Sequence, residues 1–244
     1  MRFTDKTVLV TGGGGGIGSA TVERFASEGA RVFLMDKNED HVAQTQDALD
    51  DKGISVKALV GDVTDLADLE KIYDLIMQEG GGVDVVVNVA GGSRAGYVTT
   101  LDPDDWDDLY ALNLKSTINS CRLAVEQMTP KGKGSIVNMS SISGLRGDPG
   151  WAAYNAQKAA IINFTECLAW EVGTLGIRVN AVCPGPIASK RMISTLPAGG
   201  GFQDAYDKAC AIGRMGRPEE VASSIAFLAS DDASFVAGVH LVVD

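Results

Sequence analysis

The sequence predicts one α/β domain, residues 1–244, built on a parallel sheet, and three observations carry that prediction. Short apolar β-forming runs alternate with helical patterns across short connections, which is what right-handed βαβ units look like in sequence. The first run, Val8-Leu9-Val10, opens through Thr11 into five consecutive glycines, Gly12 to Gly16, and then into a helical pattern over residues 19–28. A chain of 244 residues with 45% hydrophobic content can bury a sizeable core, and no second compositional block interrupts it.

Glycines in a row cost backbone entropy, so an ordered role needs positive φ or a missing Cβ where another group approaches the main chain. A phosphate at a helix N-terminus is such a group. Two registers fit: Gly13-x-Gly15-x-x-Gly18, a dinucleotide-binding spacing, and Thr11-Gly12-x-x-x-Gly16-x-Gly18. A glycine-rich linker is the plain alternative, and the flanking strand and helix patterns argue against it.

The remaining elements follow in order. Residues 31–36 read as a buried strand ending in Asp36, 18 residues beyond Gly18, the spacing at which a dinucleotide fold sets an acid on the adenosine ribose. A polar-faced helix over 39–52 precedes a third strand over 54–60, closed by Gly61-Asp62-Val63. A helix over 66–77 leads to a fourth strand over 83–87, closed by Asn88-Val89-Ala90-Gly91. Asp102-Pro103-Asp104-Asp105 starts a helix, with a capping acid, proline at the first position and carboxylates on the positive end of the dipole. That helix runs to about Met128. Asn113 lies in its middle, where asparagine is a poor helix former, and this points to a use for its amide. A fifth strand over 135–139 ends at Ser140-Ser141, and an alanine-rich helix covers 151–172. A sixth strand over 178–182 is broken by Pro184-Gly185-Pro186. Residues 189–212 read as irregular around Gly199-Gly200-Gly201, before a helix from Pro218 to Leu228 and a last strand over 239–243.

Composition narrows the function. The formal charge of −11 argues against a nucleic-acid partner, which needs clustered Lys and Arg. No apolar run of about 18 residues spans a bilayer, and residues 1–6 lead straight into a strand, so a cytoplasmic protein without a signal peptide is expected. Cys121, Cys167, Cys183 and Cys210 are far apart, and His41 and His240 lack a second ligand type at metal spacing, so neither disulfides nor a metal is expected.

Tyr154 and Lys158, four apart on one helix, share a face. An ammonium near a phenol favours the phenolate and draws a pKa of about 10 toward the working pH, which suits Tyr154 to general acid/base work. Ser141 ends the preceding strand at the carboxyl edge, where open α/β sheets bind ligands, and can hydrogen-bond a substrate oxygen. A Tyr and a Lys at this spacing are usually a surface pair. Joined to the glycine turn and Ser141, they point to a site.

At this point the chain resembles the short-chain dehydrogenase/reductase family over essentially its full length. Thr11-Gly12-x-x-x-Gly16-Ile17-Gly18, Asp62-Val63, Asn88-x-Ala90-Gly91, Asn113, Ser141 with Tyr154-x-x-x-Lys158, and Pro184-Gly185 stand in the family's order and spacing. The resemblance implies a Rossmann-type, doubly wound parallel sheet of seven strands with helices on both faces, and hydride transfer between a nicotinamide and a carbonyl or secondary alcohol. It also implies that Tyr154 exchanges the proton, Ser141 orients the reacting oxygen, Lys158 holds the nicotinamide ribose, and Asn113 supports a water in the relay. By the same resemblance Asp62 and Val63 contact the adenine, and Ile187 and Ser189 hold the carboxamide. Val89 stands where a second asparagine is commoner, Gln157 replaces a small residue between Tyr154 and Lys158, and Ser189 replaces a threonine.

Three functions remain open: an NAD-dependent secondary-alcohol dehydrogenase, an NADPH-dependent 3-oxoacyl (acyl-carrier) reductase, and a catalytically silent nucleotide-binding scaffold. The second draws on Gly213-Arg214-x-Gly216-Arg217-Pro218-Glu219-Glu220-Val221, which also resembles that reductase; the third predicts a broken Ser, Tyr or Lys, and all three are intact. Asp36 and a glycine turn without Lys or Arg favour NAD, with Lys37 the dissenting residue. The helices over 104–128 and 151–172 carry more apolar surface than one sheet face covers, and by resemblance they pair across a two-fold axis in a homotetramer. The loop at about 189–215 would shape the substrate pocket. Arg94, Arg146, Lys190 and Arg191 follow the fourth, fifth and sixth strands, and Trp151 could wall the pocket beside Tyr154. Such a ring of bases would favour a carboxylate, phosphate or acyl-thioester carrier; the plainer alternative is solvated bases paired with neighbouring acids.

Overall fold

Seven strands, Thr7–Thr11 (β1), Arg31–Asp36 (β2), Lys57–Val60 (β3), Val85–Asn88 (β4), Gly134–Met139 (β5), Ile177–Pro184 (β6) and His240–Val243 (β7), form one sheet. Their order is β3-β2-β1-β4-β5-β6-β7, and every neighbouring pair is parallel. This computed structural model describes residues 1–195 and 201–244; the side chains of Lys190, Arg191, Thr195 and residues 201–203 lie outside the description. The chain winds outward from β1 to β3 and then returns to the other side of β1 as β4. The switch point therefore falls between β1 and β4, where Thr11 stands opposite Asn88 at the carboxyl edge.

Alternation along the strands sorts the core into two layers. Val8 and Val10 of β1 face one side, with Val22 and Phe25 of α1 (Gly16–Ser27), Val42 and Leu49 of α2 (Glu39–Asp50), and Val221 and Ile225 near the chain end. Leu9 faces the other, with Leu69, Ile72 and Ile76 of α3 (Leu66–Gly80) and partners on later helices. Each of these side chains is buried, and full burial of such a group stabilises by about 1.5 to 3 kcal/mol. Among the described residues no helix is long and apolar enough to cross a membrane.

The boundaries shift from the sequence reading for identifiable reasons. The Ile54 N–H bonds the carbonyl of Leu49 and closes α2, so β3 begins only at Lys57. The Val83 N–H is taken by the Gln127 side chain, so β4 begins at Val85. The long helix expected over 103–128 is α4 (Pro103–Tyr110) and α5 (Ser116–Met128), joined by a π turn, Ala111–Lys115, in which the Ser116 N–H bonds Ala111 O. The stretch expected to be irregular contains α7 (Lys190–Thr195) and α8 (Gly201–Ala209), which follow α6 (Ala152–Val172) and precede α9 (Pro218–Ala229). Gly199 and Gly200, which prompted the irregular reading, lie outside the described residues.

Candidate active site

The glycine turn is shaped by close approaches that leave no room for side chains. Gly12 has φ +66°, and a Cβ there would lie 2.7 Å from the backbone of Ala90, so the turn sits directly on the end of β4. A Cβ on Gly18 would run into Gly12 O, and one on Gly16 would lie 2.7 Å from the Ser189 Cβ. Gly15 differs: only Gly12 O comes near it, and it caps α1 in an extended conformation with no side-chain cap. With no acid in the first turn of α1, the N–H groups of Ile17 and its neighbours are left for an anion. A dinucleotide pyrophosphate fits that cradle.

Asp36 ends β2 beside the turn. Its two oxygens accept from the N–H groups of Gly14 and Asn38, each at 3.1 Å, which fixes the carboxylate at the rim. Lys37 turns toward Asp62, with Nζ 3.7 Å from Oδ2. Burial alone would raise the Asp62 pKa, but the Thr64 N–H and hydroxyl, with Lys37 behind them, hold it below the usual carboxylate range. Val63 is buried in the second core layer, and Ala90 N lies 3.4 Å from the Thr11 hydroxyl.

Asn88 faces into the sheet. Its Nδ2 donates to Asn138 Oδ1 at 2.9 Å, a strut between β4 and β5, and the side chain is buried. At the end of β6, Pro184 pairs with Val243, and Gly185 leaves space that the Asp244 carboxylate fills. Ile187 bridges to Gly216, and the Ser189 hydroxyl accepts from the Met192 N–H at the start of α7.

Ser141 follows β5, Lys158 reaches the end of β5 beneath Tyr154, and Asn113 grips the loop after β4. Ser141 Oγ accepts from the Ser143 N–H at 3.1 Å, and among the described residues nothing takes its proton, so the hydroxyl is set as a donor. The Lys158 side chain, 3% exposed, runs beneath Tyr154, its Nζ 5.6 Å from the phenol ring centroid. That Nζ donates to Met139 O at 2.8 Å, while Ser140 donates to Lys158 O at 2.7 Å. Two bonds thus strap α6 to the end of β5. Gly144 lacks a Cβ where α6 passes closest, since one would lie 2.7 Å from the Lys158 carbonyl carbon.

Asn113 sits within the π turn and is fully buried. Its Oδ1 accepts from Gly92 N at 3.0 Å and its Nδ2 donates to Gly92 O at 2.9 Å, a two-point clamp on the loop after β4. Side chains satisfy carbonyls around the widened turn: Asn113 Nδ2 bonds Leu109 O, Ser116 bonds Leu112 O, and Thr117 bonds Asn113 O. π turns recur at functional sites for this reason, since the irregularity can aim a side chain. Composition gave Asn113 away; Gln157, buried against it, carried no signal beyond its departure from the family's small residue.

Two of the bases at the mouth have acidic partners. Arg94 forms an ion pair with Asp105, and Arg146 Nε lies 3.7 Å from Asp148. Their charges are offset locally, as in the plainer of the two sequence readings. The Lys190 and Arg191 side chains fall outside the described residues. Trp151 stands edge-on to Tyr154, with ring centroids 6.4 Å apart. Among the described residues no cluster of metal-ligating side chains occurs.

A sheet with a switch-point glycine cradle, and a Ser, Tyr and Lys at the adjoining strand ends, defines a dinucleotide-dependent oxidoreductase. Comparisons with known proteins agree. The family model described as enoyl-(acyl carrier protein) reductase matches residues 13–244. The chain is 38% identical to the meso-2,3-butanediol dehydrogenase of Serratia marcescens, covering 100% of this chain and 95% of that protein. It is 36% identical to the 7alpha-hydroxysteroid dehydrogenase of Bacteroides fragilis, with 100% and 94% covered. It is 38% identical to the 3-oxoacyl-[acyl-carrier-protein] reductase FabG of Thermotoga maritima, with 100% and 98% covered. The crystal structure of gox2181 superposes with a TM-score of 0.94 at 32% identity, covering 100% of this chain and 95% of that one. The chain belongs to the short-chain dehydrogenase/reductase family and is an oxidoreductase acting on CH–OH groups.

Proposed function

We propose that this protein is an NAD(H)-dependent dehydrogenase/reductase of secondary alcohols and ketones that works as a homotetramer. The observation that carries the cofactor choice is the Asp36 carboxylate, fixed by two backbone N–H groups at the groove rim while Lys37 turns to Asp62. A 2′-phosphate there would meet a fixed negative charge, with the nearest base engaged elsewhere.

A nicotinamide held in this groove would supply or accept the hydride. Ser141 donates to the substrate oxygen, and Tyr154 exchanges a proton with that same oxygen. Lys158, fixed by Met139 O, favours the phenolate and faces Gly91, where a ribose can lie against the backbone: a Cβ at Gly91 would be 3.5 Å from Nζ. Because the Asn113 amide is committed to Gly92 and its main-chain carbonyl already accepts from Thr117, a relay water at Asn113 would have to use that carbonyl's second lone pair. The assembly draws support from Trp170 on α6, 88% exposed, and from the fully exposed Phe235.

The test is kcat/KM for a panel of secondary alcohols with NAD and with NADP; equal use of the two cofactors overturns the reading. The 38% identity to the FabG of Thermotoga maritima favours a second reading, an NADPH-dependent 3-oxoacyl reductase. Rapid reduction of a 3-oxoacyl thioester with NADPH but not NADH would select it.

A further inference from the structure

Gln157 is a carboxamide on α6, three residues beyond Tyr154 and one before Lys158, and it is only 6% exposed. A polar group of that size is retained in a core only if its donors and acceptors are met. Turned one way, its oxygen receives Asn113 Nδ2 at 2.9 Å. Turned the other way, the orientation its neighbours favour, it donates to Leu109 O and accepts from Tyr110 N, both at 3.1 Å, and its nitrogen faces Asn113 Nδ2 without a bond between the two donors. In either orientation it ties α6 to the junction of α4 and the π turn.

What lies beyond that tie gives it consequence. Asn113 grips both polar atoms of Gly92, and a Cβ on Gly91 would stand 2.8 Å from Asn113 Oδ1 and 3.5 Å from Lys158 Nζ. Successive residues of α6 therefore approach one loop by two routes: Lys158 directly, and Gln157 through the Leu109–Tyr110 backbone and the π turn that carries Asn113. The loop forms the floor between the glycine turn and Lys158.

We propose that Gln157 is a positioning residue, which holds the Leu109–Tyr110 backbone at the entrance of the π turn that carries Asn113, and so fixes the distance between the Gly91–Gly92 floor and the Lys158 ammonium. The proposal rests on the functional reading above and deepens it. A misplaced floor shifts the nicotinamide relative to Ser141 and Tyr154, and misplacement of about 1 Å can cost as much as 100-fold in rate. Binding elsewhere along the dinucleotide, at α1 and Asp36, is untouched, so the loss falls on kcat rather than on KM for NAD.

Gln157→Met keeps the volume and removes the polar tie, while Gln157→Glu keeps an acceptor for Tyr110 N. In Gln157→Met, kcat should fall about tenfold or more with KM for NAD within about twofold. In the cofactor-free protein, exchange of the Gly92 amide hydrogen should quicken about tenfold. Gln157→Glu should recover part of both. A folded Gln157→Met with unchanged Gly92 exchange overturns the clamp, and faster exchange at unchanged kcat overturns its role in positioning. Absence of any NAD-dependent turnover in the unmodified protein would sink the functional reading, and the positioning role with it, while the exchange measurement would still decide the clamp.

Discussion

The Lys158 ammonium reaches from α6 to the end of β5 and donates to the carbonyl of Met139 at 2.8 Å. Burial is the larger influence on it and lowers its pKa from 10.5 to about 8. In the ligand-free protein the unfolded chain therefore binds more protons than the native one between about pH 8 and 10.5, and over that window the Lys158 contribution to stability rises with pH. Below pH 8 both states carry the proton and the cost of the buried ammonium is constant. Urea unfolding of the wild type and of Lys158→Met should show their stability difference shifting toward the wild type across this window, by on the order of 3 kcal/mol. A difference that stays flat with pH would mean that Lys158 titrates as an ordinary lysine.

Tyr154→Phe removes the transferable proton and leaves the edge-on packing against Trp151. Turnover should fall by about 10² to 10⁴ while the dissociation constant for NAD changes little, as read by fluorescence titration. Near-normal turnover would assign the acid/base role to another group.

Asp36→Asn removes the charge and keeps one acceptor oxygen, which can meet only one of the two N–H groups, Gly14 N or Asn38 N, that the carboxylate meets with separate oxygens. The preference for NAD over NADP should narrow by about 10- to 100-fold, the size expected when a charge-assisted hydrogen bond to the ribose becomes a neutral one and the repulsion of a 2′-phosphate is relieved. If the ratio of kcat/KM values does not move, the selectivity resides elsewhere in the groove.

Arg94 is paired with Asp105 and Arg146 lies near Asp148, so a neighbouring acid offsets part of the charge of each at the mouth. Arg94→Ala should leave the ratio of kcat/KM for a neutral secondary alcohol and its carboxylate-bearing analogue within about twofold, since an exposed pair contributes about 0 to 1 kcal/mol. A selective loss of the charged analogue would restore the anion-binding ring anticipated from the sequence.

Trp170 leaves most of its surface on the outside of α6. Multi-angle light scattering at micromolar concentration should give four times the chain mass, and Trp170→Glu should shift the population toward smaller species without lowering the melting temperature of the monomeric unit. A monomeric wild type rules out the assembly.

Much of this architecture was legible because its signals are local. The glycine turn, the acid after β2 and the spacing of Ser141, Tyr154 and Lys158 each rest on short-range chemistry. The π turn was not legible: residues 103–128 keep one helical pattern throughout, and the extra residue appears only when Asn113 meets Gly92. The inward turn of Asn88 depends on Asn138, fifty residues away, and no periodicity in the four-residue β4 announces it. The balance of charge at the mouth was half visible, since Asp148 stands two residues from Arg146, whereas Asp105 reaches Arg94 only through the start of α4.

The widened turn between α4 and α5 also makes the active site sensitive to chain length rather than to composition. A π turn holds one residue more than α-helical hydrogen bonding requires, and the Ser116 N–H to Ala111 O bond marks where it is housed. Deleting Ala111 would let the two helices run on as one regular rod, with the bulge at Asn113 gone and its spacing to Leu109 shortened by one residue. The hydrogen-bond ladder would gain regularity, yet Asn113 could no longer meet both Leu109 and Gly92. A deletion that tidies the helix would thus disable the enzyme, and helix content would give no warning of it.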